Sequence, residues 1–470
     1  MNRYFIYLLI FICTSLELRA QIPPADNPDI VEILPGTRKL EFRKVDDGTE
    51  VQILAGNVRL RQGTTLFTAD SCVINSGANT FEAFGNVHIN DSDTAKIWSN
   101  QLRYLTDQKK AYLTGNVRLT DGRATLTTNA LEYDVNTNIG VYRNGGRIVN
   151  KKTTVTSREG IYYADVRDIR FINKVELRDP GYTLTSDSLL YNSETQVATF
   201  IAYTFIKDSS GRTIRTREGY YDLQGGRSEF TQRTTIQDKA VTVSGDRIAS
   251  DDQSGIIQIE GRGVMVDTAR GTSLLANRIF INKKTDALLA TQKPLMIIKQ
   301  KRDSIFIAAD TLFSARLSDL YKDTSAKKNS PKTTTKGKPD STDRFLEAYR
   351  NVRVFSDSLQ SVSDSLFYSF KDSIFQLYQN PVVWSNKSQI TGDTILLFTK
   401  NQKADKLKVI NNSFLVSEVE QGVYNQIKST RMDGHFKEGV IDSVVAKGTA
   451  ESVYFLQDRD SAYTSINQTQ

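Results

Sequence analysis

A five-residue pattern returns along this chain at a nearly fixed interval, and no other feature restricts the fold as much. Gly56-Asn57-Val58-Arg59-Leu60, Gly85-Asn86-Val87-His88-Ile89 and Gly115-Asn116-Val117-Arg118-Leu119 are spaced by 29 and 30 residues. Weaker versions stand at Gly145-Gly146-Arg147-Ile148 and Asn173-Lys174-Val175-Glu176-Leu177. Such an interval marks a tandem repeat, in which each unit packs on its neighbours, and this frees a chain of 470 residues from division into separate globular domains.

A second mark falls between the Gly-Asn pairs. It is an Asp or Asn with an apolar residue three before it and apolar residues two and four after it, as in Phe67, Asp70, Cys72, Ile74 and in Ile97, Asn100, Leu102, Tyr104. Leu126, Asn129, Leu131, Tyr133 and Leu184, Asp187, Leu189, Tyr191 repeat it, and Asp246, Asn277, Asp310 and Asp393 carry it onward. Degenerate copies centre on Glu159, Glu218, Asp364 and Asp433.

Strand side chains alternate with period two, so positions minus three and plus two have opposite parity. For both to point inward the strand must slip by one residue at the mark. That predicts a bulge or corner, where Asp or Asn tolerates special backbone angles. Gly-Asn makes a second corner, since glycine accepts positive φ. Thr, Val, Ile, Tyr and Phe dominate the repeats and no long helical periodicity occurs. The expected fold is all-β: an elongated array of bent antiparallel strands, repeating every 29–31 residues, each crossing between two walls of a folded sheet. The inward positions are Val58, Leu60, Phe67, Val87, Leu102, Tyr104, Val117, Leu119, Leu131, Tyr133, Leu189 and Tyr191. If the walls touch, these residues form a sandwich core; if held apart, they line a greasy slot. The pattern alone leaves both open.

The remaining segments are read from local composition. Met1–Ala20 has Arg3, an apolar core from Tyr4 to Ile12 and a small residue before Gln21, the form of a cleaved signal peptide, with a retained anchor as the alternative. Residues 21–37, with four prolines, are expected to form an extended leader, and residues 38–321 the first run of repeats. Residues 322–344 hold no apolar side chain except Ala326; removing them restores a normal repeat interval, so they are expected to be a disordered insertion, with a linker between two arrays as the alternative. Repeats then continue over 345–460, before a polar tail at 461–470. Removing the signal leaves Cys72 as the single cysteine, in a column filled elsewhere by leucine, which predicts a buried small hydrophobe.

Charge and chemistry narrow the function. The formal charge is +7, and Arg59, Arg61, Arg103, Arg118, Arg123, Arg143, Arg147 and Lys151 share strands with the inward positions. Such a face is solvation or the mark of an anionic partner. His88 and His435 are the only histidines, so a His-based triad or a His-rich metal site cannot be assembled. No phosphate-cradling glycine loop occurs. The acidic column sits at corners, where a structural role suffices, so no enzyme activity, metal or cofactor is expected.

Gly-Asn-Val-x-Leu, followed by a Thr/Ala-Asp-x-apolar-x-Tyr corner and a second Gly-Asn-Val, resembles the OstA-like family of lipopolysaccharide-transport proteins, which includes LptA and the N-terminal periplasmic part of LptD. The resemblance is clearest over Glu50 to Tyr191. It implies a long β-jellyroll, or β-taco, whose trough carries lipid A acyl chains across the periplasm. It also implies lipopolysaccharide as ligand, with LptC-like and LptD-like partners joined by strand addition at the ends. Head-to-tail self-association is a further expectation, with no nucleic-acid partner. The chain is expected in the periplasm, bridging towards the outer membrane. A non-catalytic envelope scaffold with a packed core, or a saccharide-binding β-solenoid, is the alternative.

Overall fold

A computed structural model describes residues 30–45, 48–91, 95–299, 304–320, 342–357, 359–400, 403–437, 439–458 and 462–469. The expected signal peptide, most of the leader and residues 322–341 of the expected insertion lie outside the described residues. Within them the fold is all-β, with one four-residue helix at Leu317–Leu320 and no helix long and apolar enough to cross a membrane. Two compact units are present, one within residues 1–122 and 127–141, the other within 123–126 and 142–470.

In the first unit the strands Glu50–Gln62, Thr65–Asn75, Thr80–Asp91, Ala95–Leu105 and Lys110–Thr120 pair antiparallel in chain order. The pairing shifts register between Ala55 and Val58, between Phe84 and Val87, and between Trp98 and Gln101. At the first shift Gly56 and Asn57 stand against the single residue Asp70, a two-against-one bulge that bends the sheet. Burial follows the slip read from the sequence. It switches from Phe67 and Ala69 to Cys72 across Asp70, yet stays in phase from Ala83 to Val87, where the corner uses two residues.

The unusual backbone angles fall at only one of the two marks expected to hold them. Gly85 and Asn86 have φ of 74° and 43°, and Gly56-Asn57 and Gly115-Asn116 are alike, whereas Asp70 and Asn100 are not left-handed. The lone residue of a bulge stays extended; the doubled side takes up the turn. Asp70 serves instead as an acceptor, receiving the Asn86 side-chain amide at 2.9 Å.

In the second unit the Gly-Asn-Val letters fade but the corner persists. Asn173-Lys174, Gly261-Arg262, Arg350-Asn351 and Asn411-Asn412 are consecutive left-handed pairs, each at a register shift. Asn351 donates to Asp310 at 2.9 Å, Asn412 to Asp393 at 3.0 Å, and Arg262 to Asp246 at 2.8 and 2.9 Å. Elsewhere in this unit a crossing is split into two short strands, as in Val197–Phe200 and Thr204–Asp208.

The corners divide each unit's sheet into two walls. In the first unit one wall holds residues 52–55, 71–75, 80–84, 101–105 and 110–114, the other 58–62, 65–69, 87–91 and 95–99. In the second unit residues 168–172, 188–192, 197–200 and 219–222 belong to one wall, and 175–179, 182–186, 204–208 and 213–216 to the other.

Two segments differ from expectation. Val31–Ile33, at the end of the leader, pairs with residues 60–62, and Tyr463–Thr469, in the polar tail, pairs with 452–457. Edge pairing uses backbone groups and needs no apolar side chain, so composition missed both. On either side of residues 321–341, Thr311–Ala315 pairs with residues 345–349. The Ser318 amide and hydroxyl donate to Asp343 at 2.9 and 2.7 Å, joining the two flanks. Thr342–Arg344, the described end of the expected insertion, is held in place: the Arg344 guanidinium is largely buried and donates to Asp286 at 2.7 Å.

Candidate functional site

The inward positions are the natural place to look for a ligand. All twelve residues are at most 3% exposed: Val58, Leu60, Phe67, Val87, Leu102, Tyr104, Val117, Leu119, Leu131 and Tyr133 in the first unit, Leu189 and Tyr191 in the second. In the first unit the walls touch. Phe67 on one wall packs its ring 5.3 Å from Phe81 and 4.8 Å from Tyr104 on the other. Leu60 lies opposite Phe67 in the pairing, and Leu102 opposite Ala83 and Leu113. The interior at these positions is a closed apolar core.

At the strand ends away from the corners, the mouth between the walls is held by polar latches. Tyr104 donates its hydroxyl across the mouth to Gln62 Oε1 at 2.6 Å, and the Gln62 amide reaches the Thr106 carbonyl at 3.0 Å. Tyr133 donates to Asp91 Oδ2 at 2.9 Å, while the Thr65 hydroxyl donates to Asp91 Oδ1 at 2.8 Å. In the second unit Asn150 donates to the Tyr191 hydroxyl at 3.2 Å and to the Ser193 carbonyl at 2.7 Å. Burial raises the Tyr104 hydroxyl pKa and pushes that of Tyr191 up to about 12, so both remain neutral at ordinary pH.

Sequence reasoning missed these latches, although a third periodic mark announces them. A polar residue ends the apolar alternation of the second wall two positions after its last inward side chain: Gln62, Asp91, Asn150, Asp179, Asp208, Asp238 and Asp267. With Asp121 standing between Asp91 and Asn150, these lie 29 or 30 residues apart, and their position beside turns disguised them as turn formers. Latch partners are separated by 42 residues for Gln62 and Tyr104, 42 for Asp91 and Tyr133, and 41 for Asn150 and Tyr191.

The same spacing would join Asp179 to Tyr221, and there the latch is not made. Tyr221 donates to Asp252 at 3.1 Å, and Asp179 accepts from Thr153 at 2.8 Å. A cavity of about 330 Å³ opens between the walls at this point, lined by Asp179, Tyr182, Leu184, Phe200, Ile206 and Tyr221 among others.

The other candidate residues have ordinary roles. Arg61 pairs with Glu32 at 2.7 Å and Arg123 with Glu194 at 3.0 Å. Arg118 lies over the Trp98 ring at 4.0 Å, and His88 stacks on the same ring on the outward face. Cys72 is fully buried, and burial, with Glu82 nearby, pushes its thiol up to about 12, which makes it an inert hydrophobe.

Comparisons with known proteins add a family to this geometry. The crystal structure of LptH, "the LptA homologous periplasmic component of the conserved lipopolysaccharide transport device from Pseudomonas aeruginosa", is similar at 12% identity over 44% of this chain and 94% of that one, with a TM-score of 0.16, too low to support any inference. No curated protein matches the chain. The family model described as OstA-like protein matches residues 33–187, from the end of the leader to the Asp187 corner. That stretch, about a third of the chain, is similar to the OstA-like family.

Proposed function

We propose that this chain is a periplasmic, non-catalytic carrier of lipopolysaccharide, sheltering acyl chains between the walls of its folded sheet. The family match over residues 33–187 carries this reading. The two-walled architecture supports it, since each crossing presents apolar side chains to the space between the walls. Acyl chains would replace wall-to-wall contacts, and exposed basic residues such as Arg59, Arg103 and Arg147 would face the anionic headgroup. Both described edges expose apolar side chains, Phe42 at 65% and Ile466 at 63%, which suits strand addition by LptC-like or LptD-like partners or by a second copy.

The closed interior favours a second reading, an envelope scaffold whose core is packed throughout. Photo-cross-linking in cells separates the two, with the probe at Leu102, Leu131 or Leu189 and Arg118 as outward control. Lipopolysaccharide adducts at the inward sites alone are the expected result. Silence at all three, in a folded and exported chain, would leave the scaffold.

A further inference from the structure

In the second unit the latch spacing fails where the cavity begins, and one polar group inside is unspent. The Tyr182 hydroxyl is buried and has no hydrogen-bond partner among the described residues. Its ring packs 5.4 Å from that of Tyr221, on the opposite wall. A buried hydroxyl without a partner carries a desolvation penalty, and a hydrogen-bonding ligand would remove it. Behind it the walls are apolar, formed by Leu184, Phe200, Ile206 and Ile214. The volume of about 330 Å³ falls within the roughly 300–1,000 Å³ of small-molecule sites.

The rim specifies the headgroup. Asp179, Asp208 and Asp252 stand around the opening. The rim guanidinium, Arg212, is committed to Asp208 at 2.9 Å. An anionic head would therefore meet carboxylates. Tyr182 is held neutral by burial and by Asp179, so its hydroxyl keeps the proton it donates, and the surrounding carboxylates favour an uncharged acceptor.

We infer that the cavity between Tyr182 and Tyr221 is a binding site for one acyl chain, held at its uncharged ester, amide or hydroxyl oxygen by the Tyr182 hydroxyl. This rests on the lipid-carrying reading and gives it a place: the chain enters where the mouth is unlatched, not through the closed core around Phe67 and Tyr104. The ester of a glycolipid and that of a simple glyceride offer the same oxygen to Tyr182.

The test is equilibrium binding of 1-monolauroylglycerol to the full exported chain below the micelle concentration, with laurate as the anionic comparison. Tyr182→Phe removes a hydroxyl that bonds nothing, so its urea melt should match or exceed wild type while its affinity for the glyceride falls about tenfold. Ile206→Trp fills the cavity and should abolish binding, and laurate should bind more weakly than the glyceride. Glyceride binding that Tyr182→Phe leaves unchanged overturns the inference and spares the carrier reading. So does a wild-type chain that ignores the glyceride yet gives lipopolysaccharide adducts at Leu189. Absence of both binding and adducts overturns inference and reading together.

Discussion

Replacing Gly85 by alanine tests the corner geometry directly. Gly85 has φ of +74°, and a Cβ there would lie 2.4 Å from Asp70 Oδ2 and 3.0 Å from both Asp70 Cβ and Cγ. Two penalties add. A left-handed L-residue costs about 1–2 kcal/mol, and forcing a methyl into an occupied space costs about 1–3 kcal/mol. Asp70 is exposed and can swing aside only by giving up its bond from Asn86, so the sum is about 2–5 kcal/mol. Gly122 is the control, with φ of +86° and nothing within 4 Å of the added carbon, so Gly122→Ala should cost only the backbone share, about 1–2 kcal/mol. Urea unfolding reads the difference. In a Trp384→Phe background the fluorescence comes from Trp98, stacked on His88 three residues after the corner. Asp70→Ala added to Gly85→Ala should restore part of the loss. If Gly85→Ala is no worse than Gly122→Ala, the close approach of Asp70 plays no part in the corner.

Three further outcomes follow from the same structure. Tyr133→Phe should destabilise by about 1.5–3 kcal/mol, because it strips a bond from the buried Asp91 carboxylate, and Tyr104→Phe by only about 0.5–1.5 kcal/mol, because Gln62 is neutral; equal losses in urea would contradict the latch assignment. The bond from Arg262, with Arg233 nearby, holds the Asp246 carboxyl below its ordinary 3.8, so its small contribution to stability is present above that value and lost as pH falls through the lower, folded one. In Arg262→Gln the carboxyl resonance should titrate nearer 3.8, and an unchanged NMR titration would show that the ion pair is not formed in solution. Replacing residues 321–341 with two glycines should leave the thermal midpoint unchanged, because residues 311–315 and 345–349 pair directly and Asp343 already joins the flanks; loss of soluble protein would show that the segment supports the sheet.

Much of this architecture was legible in letters that repeat. Gly85 and Asn86 announced a corner because few residues tolerate left-handed backbone, and the parity break across Asp70 announced the slip. Special angles were nevertheless expected on the Asp side as well, because Asp suits both a strained backbone and an acceptor, and spacing does not say which. In the second unit the corner outlives its letters: Arg350-Asn351 and Asn411-Asn412 hold the same angles without glycine, so the fading motif hid a constant geometry. Whether the inward residues touch or stand apart was illegible, because alternation reports the face of a strand and not the distance to the opposite wall. That distance is set across the mouth, by pairs such as Asp91 and Tyr133, 42 residues apart, beyond the reach of local pattern.

The corners also bear on how such a chain can lengthen in evolution. Their polar bonds lie on the outside and join neighbouring strands, as in Asn86 with Asp70, Asn351 with Asp310 and Asn412 with Asp393. A duplicated hairpin brings its own corner and acceptor, and the interior need match only the rows above and below. Gene-level copying of about thirty codons, roughly one repeat period, would therefore add a rung in phase, whereas a single-codon slip inside a strand would turn the greasy face outward.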